Sequence, residues 1–178
     1  MVVYRMKSGA LYQETGSKVL ASIKSKFVNE EKSVLSADAV PDLQLSIDHL
    51  TNPKLQNSDV RLHAYEAKDM KGKIVMTGHP SYAKGEDPLE QGWPVNRTPR
   101  VDTVSFVWKG QRYAITMVNN QNYRITSQDS NDGVMEILHK GLFGGWDIKA
   151  DDRFTPESIC SIFVFCRYLE MENEFPIA

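Results

Sequence analysis

The stretch from Ile159 to Leu169 constrains the fold most, because almost all of its residues are apolar. Thr155, Pro156 and Glu157 precede it, and these residue types are favoured at the N-cap, the first position and the first turn of a helix. On a helix the apolar positions go all the way round instead of forming one stripe. The stretch is shorter than the roughly 20 apolar residues that span a bilayer. We therefore predict a core helix at about 156–172, enclosed by the rest of the domain. A strand is the alternative, because Ile, Phe and Val favour sheets.

The chain before this helix is a succession of short strands separated by turn residues. Leu43, Leu45 and Ile47, for example, alternate with polar residues, as one face of a half-buried strand does. The predicted strands are 2–6, 10–14, 18–27, 33–37, 43–47, 59–67, 73–77, 101–108, 112–118, 123–127, 134–139 and 146–150. Most turns between them are short, which predicts an antiparallel meander. A sheet of this kind closes into a barrel to remove its edges, and the helix fills the centre.

The predicted architecture is therefore mainly β. It is one domain over residues 1–178, a closed antiparallel barrel of about twelve strands around a central hydrophobic C-terminal helix. Residues 78–99 interrupt the strand pattern with four prolines and three glycines, and we predict a long loop there. Loops of this length are usually functional or disordered. Within it, Trp93 is a candidate anchor for a partner or a membrane surface. The alternative is that Trp93 folds back over the barrel end.

The overall charge and the cysteines bear on location and partners. The formal net charge of −2 favours neither nucleic acid nor an anionic membrane in bulk, so nucleic acid is not an expected partner. The N-terminus lacks the pattern of a signal peptide, and no segment has the length and hydrophobicity of a transmembrane helix. Cys160 and Cys166 lie too far apart on the predicted helix for a disulfide, and free thiols suit a reducing compartment. We expect a cytoplasmic protein, with a peripheral position at the membrane as an option.

Two stretches resemble the tubby C-terminal-like superfamily, and most closely its LURP-one-related proteins. One is Gly145 to Arg153 (GWDIKADDR), which leads directly into the apolar helix. The other is the hairpin of Tyr12 to Val19 with Ile23 to Lys26. The family fold is a closed antiparallel barrel of twelve strands around a central hydrophobic helix near the C-terminus. The phospholipid scramblases are more distant relatives, and the chain shows neither their proline-rich N-terminal region nor their C-terminal membrane segment. We therefore do not expect calcium-driven lipid scrambling.

The resemblance implies a binding module and not an enzyme. In tubby the barrel binds phosphoinositide headgroups through basic residues, and the domain has been linked to nucleic acid. We expect a non-enzymatic module that recognises an anionic phospholipid headgroup, a membrane surface or a protein partner, without a cofactor. The alternative is a β-barrel or helix-grip protein that binds a small apolar ligand in a cavity. That alternative predicts a terminal helix with a polar outer face.

Basic residues form three groups that are the candidate anion-binding residues. An anion site would need the fold to bring the groups together. The alternative is a set of solvated surface lysines. No spacing of a zinc site or a catalytic triad is present, so we predict no metal ligand and no catalytic residue. The groups are Lys24 with Lys26, then Lys68 with Lys71 and Lys73, and then Lys109 with Arg112.

Overall fold

Twelve strands and a C-terminal helix make up the barrel. The computed structural model describes residues 1–25, 31–48, 62, 64–87, 100–119 and 121–174. The strands are β1 Val2–Lys7, β2 Ala10–Gln13, β3 Val19–Ser25, β4 Lys32–Ser36, β5 Pro41–Asp48, β6 Ala64–Asp69, β7 Ile74–Tyr82, β8 Val101–Trp108, β9 Gln111–Asn119, β10 Asn122–Ser127, β11 Gly133–His139 and β12 Trp146–Ala150. The helix, α1, is Pro156–Glu174.

The sheet is a closed antiparallel meander. Each strand pairs with its neighbours in sequence, and β1 pairs with β12 to close the barrel. In the closing pair Val2 lies opposite Ala150, and Met6 lies opposite Trp146. Closure leaves no continuous free edge for pairing with another chain. The predicted closed barrel of about twelve strands around a C-terminal helix is therefore confirmed.

The helix α1 fills the barrel, as its all-round apolar surface predicts. Its N-terminus is capped by Thr155, whose Oγ1 accepts a hydrogen bond from the Ser158 N–H at 3.3 Å. Every residue from Ser158 to Cys166 is buried, whichever side of the helix it occupies. The hydroxyls of Ser158 and Ser161 donate to carbonyl oxygens one turn earlier, at 2.8 and 2.9 Å, so these buried polar groups are satisfied.

The connections between strands alternate between two ends of the barrel. We call the end where α1 begins the lower end. It carries the β2–β3, β4–β5, β6–β7, β8–β9 and β10–β11 connections. We call the opposite end the upper end, and it carries the remaining connections between strands. The helix reaches the upper end, where the Asn173 amide bonds both the N–H and the C=O of Val101 at 2.9 and 2.7 Å. A connection that follows an even-numbered strand thus lies at the lower end, and one that follows an odd-numbered strand lies at the upper end.

The predicted loop at 78–99 begins later than predicted, because β7 continues to Tyr82. From the sequence, Pro80 predicts a break in the strand, since proline lacks an N–H for the strand ladder. In the fold β7 pairs with β6 only as far as Gly78, so Pro80 has no β6 residue opposite it. Gly78 itself faces the helix, and a Cβ there would stand 3.0 Å from the Phe165 ring. Residues 88–99 of the predicted loop lie outside the described residues.

Candidate functional site

The fold brings two of the three predicted basic groups together. The second group belongs to the β6–β7 hairpin and the third to the β8–β9 hairpin, and both hairpins turn at the lower end. Their strands β7 and β8 are neighbours in the sheet, so the two turns lie side by side. The residues concerned are Lys68, Lys71, Lys73, Lys109 and Arg112. Adjacent hairpins therefore form one partly basic surface.

The first basic group is not part of that surface. Lys24 lies near the end of β3, and β3 runs from the lower to the upper end of the barrel. Lys24 is consequently separated from the other two groups by the length of the barrel. Lys26 and Trp93 lie outside the described residues. The fold therefore does not bring Lys24 to the other two groups, and anion binding by any of these residues stays a prediction.

Some of the lower-end cations are neutralised by neighbouring carboxylates. Lys68 pairs with Glu66 at 2.7 Å, and Arg112 pairs with Asp129 at 2.8 Å. The hydrogen bond from Arg112 lowers the pKa of the Asp129 carboxyl. The Arg112–Asp129 pair is exposed and contributes little to stability, whereas the Lys68–Glu66 pair is partly buried. Their main effect is to reduce the local positive charge.

Three lower-end lysines have no carboxylate partner among the described residues. They are Lys71, Lys73 and Lys109. The Lys109 ammonium lies 5.5 Å from the centre of the Trp108 ring, a cation–π distance. Asp69 lies nearby, and its carboxylate accepts the backbone N–H groups of Lys71 and Lys73 at 2.9 and 3.0 Å. The Asp69 carboxylate thus stabilises the turn that carries Lys71 and Lys73.

A groove of about 400 Å³ lies between β7 and β8 at the lower end, and we call it the β7–β8 groove. The pairing of the two strands begins at Gly78 and Phe106 and does not extend toward the turns. On the other side of β7, Ile74 and Met76 pair with adjacent residues of β6, so Val75 is the extra residue of a bulge. A bulge bends its strand and increases its twist. This accounts for the parting of β7 from β8.

The β7–β8 groove is lined mainly by apolar side chains. Ile74 and Val107 lie on its two strands and are 47% and 50% exposed. Phe106 contributes to the buried part of the lining, and His79 and Arg112 add polar groups. Solvent-exposed aliphatic side chains beside uncompensated lysines form an amphipathic surface. Sequence reasoning found the lysines and missed the groove between them.

Among the residues that the structure describes, the most exposed large apolar side chains are at the upper end, in the β11–β12 turn. Leu142 is 88% exposed and Phe143 is 83% exposed. Both lie in the segment 140–145, which we call the Leu-Phe turn. The Lys140 N–H bonds the Gly145 carbonyl at 2.9 Å, and the Gly144 N–H bonds the Gly141 carbonyl at 3.2 Å. These bonds make the turn a defined structure that presents two large apolar residues to solvent.

Glycine is required at the base of the Leu-Phe turn. Gly145 has φ +72°, a region that side chains other than glycine disfavour. A Cβ at Gly145 would also lie 2.2 Å from the Met6 carbonyl oxygen on β1. The turn is thus pressed against the end of β1. Sequence reasoning missed the two apolar residues between these glycines as a candidate site.

Trp146 connects the Leu-Phe turn to the core helix. Its ring lies 5.0 Å from the His139 ring and 5.0 Å from the Phe163 ring of α1. The Arg167 guanidinium lies 5.5 Å from the Trp146 ring, on its face. The indole N–H donates to the Gln121 carbonyl at 3.3 Å. Contacts on several elements hold the base of the turn and favour a fixed orientation of its tip.

Three lysines lie at the same end of the barrel as the Leu-Phe turn. Lys7 ends β1 beside Gly145, and its Cα lies 3.3 Å from the position of a Gly145 Cβ. Lys24 is close to the adjacent β1–β2 turn, because the Ile23 N–H bonds the Gly9 carbonyl at 2.7 Å. Both are exposed and have no carboxylate partner among the described residues. Lys140 pairs with Asp147 at 2.6 Å, and this hydrogen bond raises the Lys140 pKa.

Polar side chains below the upper mouth are engaged with one another. The Tyr123 hydroxyl donates to Glu170 at 3.2 Å, and Arg167 pairs with the same carboxylate. The Tyr65 hydroxyl donates to Glu172 at 3.4 Å. Burial, the largest cause, raises the pKa of both phenols, so they remain protonated donors. These contacts hold the C-terminal end of α1 and give both Glu170 and Glu172 a hydrogen-bond partner.

Comparison of the chain with family models, with curated proteins and with solved structures found no match. Within the described ranges, no helix has the length and hydrophobicity needed to cross a membrane. No set of three or more His, Cys, Asp or Glu side chains in the same ranges is placed to hold a metal ion. The functional argument therefore starts from the surfaces at the two barrel ends.

Proposed function

We propose that this protein is a non-enzymatic binding module of tubby-like type, which docks on an anionic membrane surface with its upper end. The observation that carries the proposal is the exposure of Leu142 and Phe143 on a turn held by backbone hydrogen bonds. Exposed apolar residues at a loop tip lose water contact on entering the boundary between headgroups and acyl chains. Lys7 lies at the base of the turn and Lys24 lies on β3 at the same end of the barrel, so both would face anionic headgroups. A peripheral, cytoplasmic position follows from this proposal.

The apolar side chains contribute more binding energy than the lysines do. Full burial of a Leu or Phe side chain is worth about 1.5–3 kcal/mol. A lysine near an anionic leaflet contributes about 1 kcal/mol. The apolar pair and the two unpaired lysines together give roughly 5–8 kcal/mol before the cost of orientation, comparable to a single myristoyl anchor. We therefore expect weak, reversible binding that needs both the apolar tip and anionic lipid.

The packing of α1 argues against the alternative of an apolar ligand inside the barrel. A ligand cavity requires space, and the centre is occupied by a helix that is buried from Ser158 to Cys166. Aromatic rings of helix and sheet are in contact there, with Tyr65 at 5.6 Å from Phe165 and 5.4 Å from Tyr168. The helix also lacks the polar outer face that a helix-grip protein shows. These observations favour binding on the outside.

Co-sedimentation with vesicles tests the proposal. The vesicles contain phosphatidylcholine alone, or with phosphatidylserine, or with a phosphoinositide, each at low and at physiological salt. We expect binding to the anionic vesicles that weakens with salt. The double variant Leu142→Ser with Phe143→Ser should lose about 3 kcal/mol, or on the order of 100-fold in partitioning, without loss of stability.

The matched control is Val40→Ser with Met70→Ser, which removes two exposed apolar side chains from the lower end. This control should bind as the unaltered protein does. Charge reversal of Lys7 and Lys24 should reduce binding to anionic vesicles and leave the residual binding insensitive to salt. The proposal fails if no vesicle is bound, or if the upper-end and lower-end variants lose binding equally.

A further inference from the structure

We infer that the β7–β8 groove binds an extended segment of a partner protein, in which apolar residues are flanked by acidic ones. The groove is at the lower end and the Leu-Phe turn is at the upper end. A protein docked on a membrane by its upper end would present the groove away from the bilayer. The inference therefore adds a second partner to the proposed function and does not depend on it.

The backbone at the groove provides the first part of the argument. Ile74, Val75 and Met76 lie beyond the last pair that β7 makes with β8. Their ladder with β6 continues on the other side, with Val75 as the bulged residue. This part of β7 is thus a short strand edge inside an otherwise closed sheet. Extended peptides bind such edges by adding a strand, and their main chain supplies the hydrogen bonds.

The side chains indicate an apolar centre for the bound segment. Ile74 and Val107, on either side of the groove, are 47% and 50% exposed. Phe106 also belongs to the lining and is buried. The three residues from Ile74 to Met76 extend about 10 Å at strand spacing. A segment of about three residues with one or two aliphatic side chains matches this length and volume.

The charges indicate acidic flanks. Lys71 and Lys73 are in the turn at one side of the groove, and Lys109 is in the turn at the other. None of these three lysines has a carboxylate partner among the described residues, whereas Arg112 is paired with Asp129. Carboxylates on a bound segment would form ion pairs with these lysines. Electrostatic complementarity of this kind sets specificity and association rate.

A peptide is favoured over a lipid because of the groove's walls. An acyl chain gains nothing from an open strand edge, while a peptide satisfies it with its own N–H and C=O groups. The lower end also exposes less apolar surface at its most exposed residues than Leu142 and Phe143 do at the upper end. Lipid bound at the groove is the competing outcome of the experiment.

The probe is a fluorescein-labelled peptide EDVIVDE, measured by fluorescence anisotropy with the full-length protein. Two control peptides are KKVIVKK, which reverses the flanking charge, and EDVPVDE, whose central proline removes an N–H needed for strand pairing. We expect EDVIVDE to bind and both controls to bind at least about tenfold more weakly. Amide NMR shifts should change at residues 74–77 and 105–107.

Variants locate the site and separate the two contributions. Ile74→Ser with Val107→Ser should weaken EDVIVDE binding about tenfold or more at all salt concentrations. Lys71→Glu with Lys73→Glu and Lys109→Glu should weaken it at low salt and by less at high salt. Val40→Ser, an exposed apolar change in the β4–β5 connection, should leave binding unchanged.

Two results would overturn the inference. One is binding of EDVIVDE that is absent, or that survives the Ile74→Ser and Val107→Ser change. The other is anionic vesicle binding that disappears with the groove variants and persists with the Leu142→Ser and Phe143→Ser change, which would make the groove a lipid site. Because the two proposals use different probes and different variants, either can fail while the other holds.

Discussion

The substitution Gly78→Ala tests how tightly the helix fills the barrel. Gly78 lies in β7, and its Cβ would stand 3.0 Å from two ring carbons of Phe165 and 3.0 Å from Val104 Cγ1. Carbon atoms in good contact are about 3.5–4.0 Å apart. The new methyl group therefore overlaps three atoms by about 0.5–1 Å. Phe165 and Val104 are both fully buried, at 0% exposure, so neither has open space to move into.

Two opposing effects determine the result. Replacing glycine by alanine restricts the unfolded chain and stabilises a protein by about 0.4–1 kcal/mol where the native φ is compatible. Overpacking a dense core costs about 1–3 kcal/mol. The cost is larger, so Gly78→Ala should lower the free energy of unfolding by about 1–2 kcal/mol. For a chain of this size the melting temperature should fall by about 2–8 °C.

Equilibrium unfolding in urea measures this change, and Gly133→Ala is the matched control. Gly133 begins β11 and has no atom within 4 Å of its would-be Cβ, so alanine there should be neutral or slightly stabilising. Phe165→Leu in the Gly78→Ala background should show favourable coupling of about 0.5–3 kcal/mol in a double-mutant cycle. The packing argument is refuted if Gly78→Ala is as stable as Gly133→Ala.

Two further predictions concern buried titratable groups. Burial raises the folded-state pKa of Tyr65 and Tyr123 above that of an unfolded tyrosine, about 10. Above that pH the unfolded chain releases these protons first, so stability should fall as pH rises. Urea midpoints from about pH 8 to about 11 should fall less steeply in Tyr65→Phe or Tyr123→Phe, and equal slopes would contradict this. Cys160 and Cys166 are buried, and burial raises their thiol pKa, so Ellman's reagent should label both only after denaturation. Fast labelling of the native protein would show that α1 is accessible.

Hydrophobic periodicity was sufficient to predict the architecture. The predicted strands 101–108 and 146–150 match β8 and β12, and α1 extends two residues beyond the predicted 172, to Glu174. Such patterns work because a strand buried on one face and a helix buried on all faces leave different sequence signals. The succession of strands and short turns also predicts the order of pairing, since strands joined by a short turn pair as antiparallel neighbours.

The candidate surfaces were harder to predict, because they depend on which turns meet. Lys24 lies near the upper end of β3, whereas Lys71 and Lys109 lie in turns at the lower end, and the sequence shows this difference only once the sheet is known to be a meander. The Arg112–Asp129 pair joins the start of β9 to the β10–β11 turn and neutralises a cation that the sequence shows as free. Phe143 reads as an ordinary apolar residue, and only the fold shows that its side chain is exposed on a turn at the upper end.

The pairing of β1 with β12 has a consequence for how the chain acquires its structure. Val2 and Ala150 must meet to close the sheet, although most of the barrel's sequence separates them, so β1 waits for β12. The residues that fill the centre, Pro156–Glu174, emerge later still. Contacts of such long sequence separation slow folding. During synthesis the hairpins form around a vacant interior, and a nascent chain that lacks α1 would expose the apolar lining of every strand to chaperones and to its neighbours.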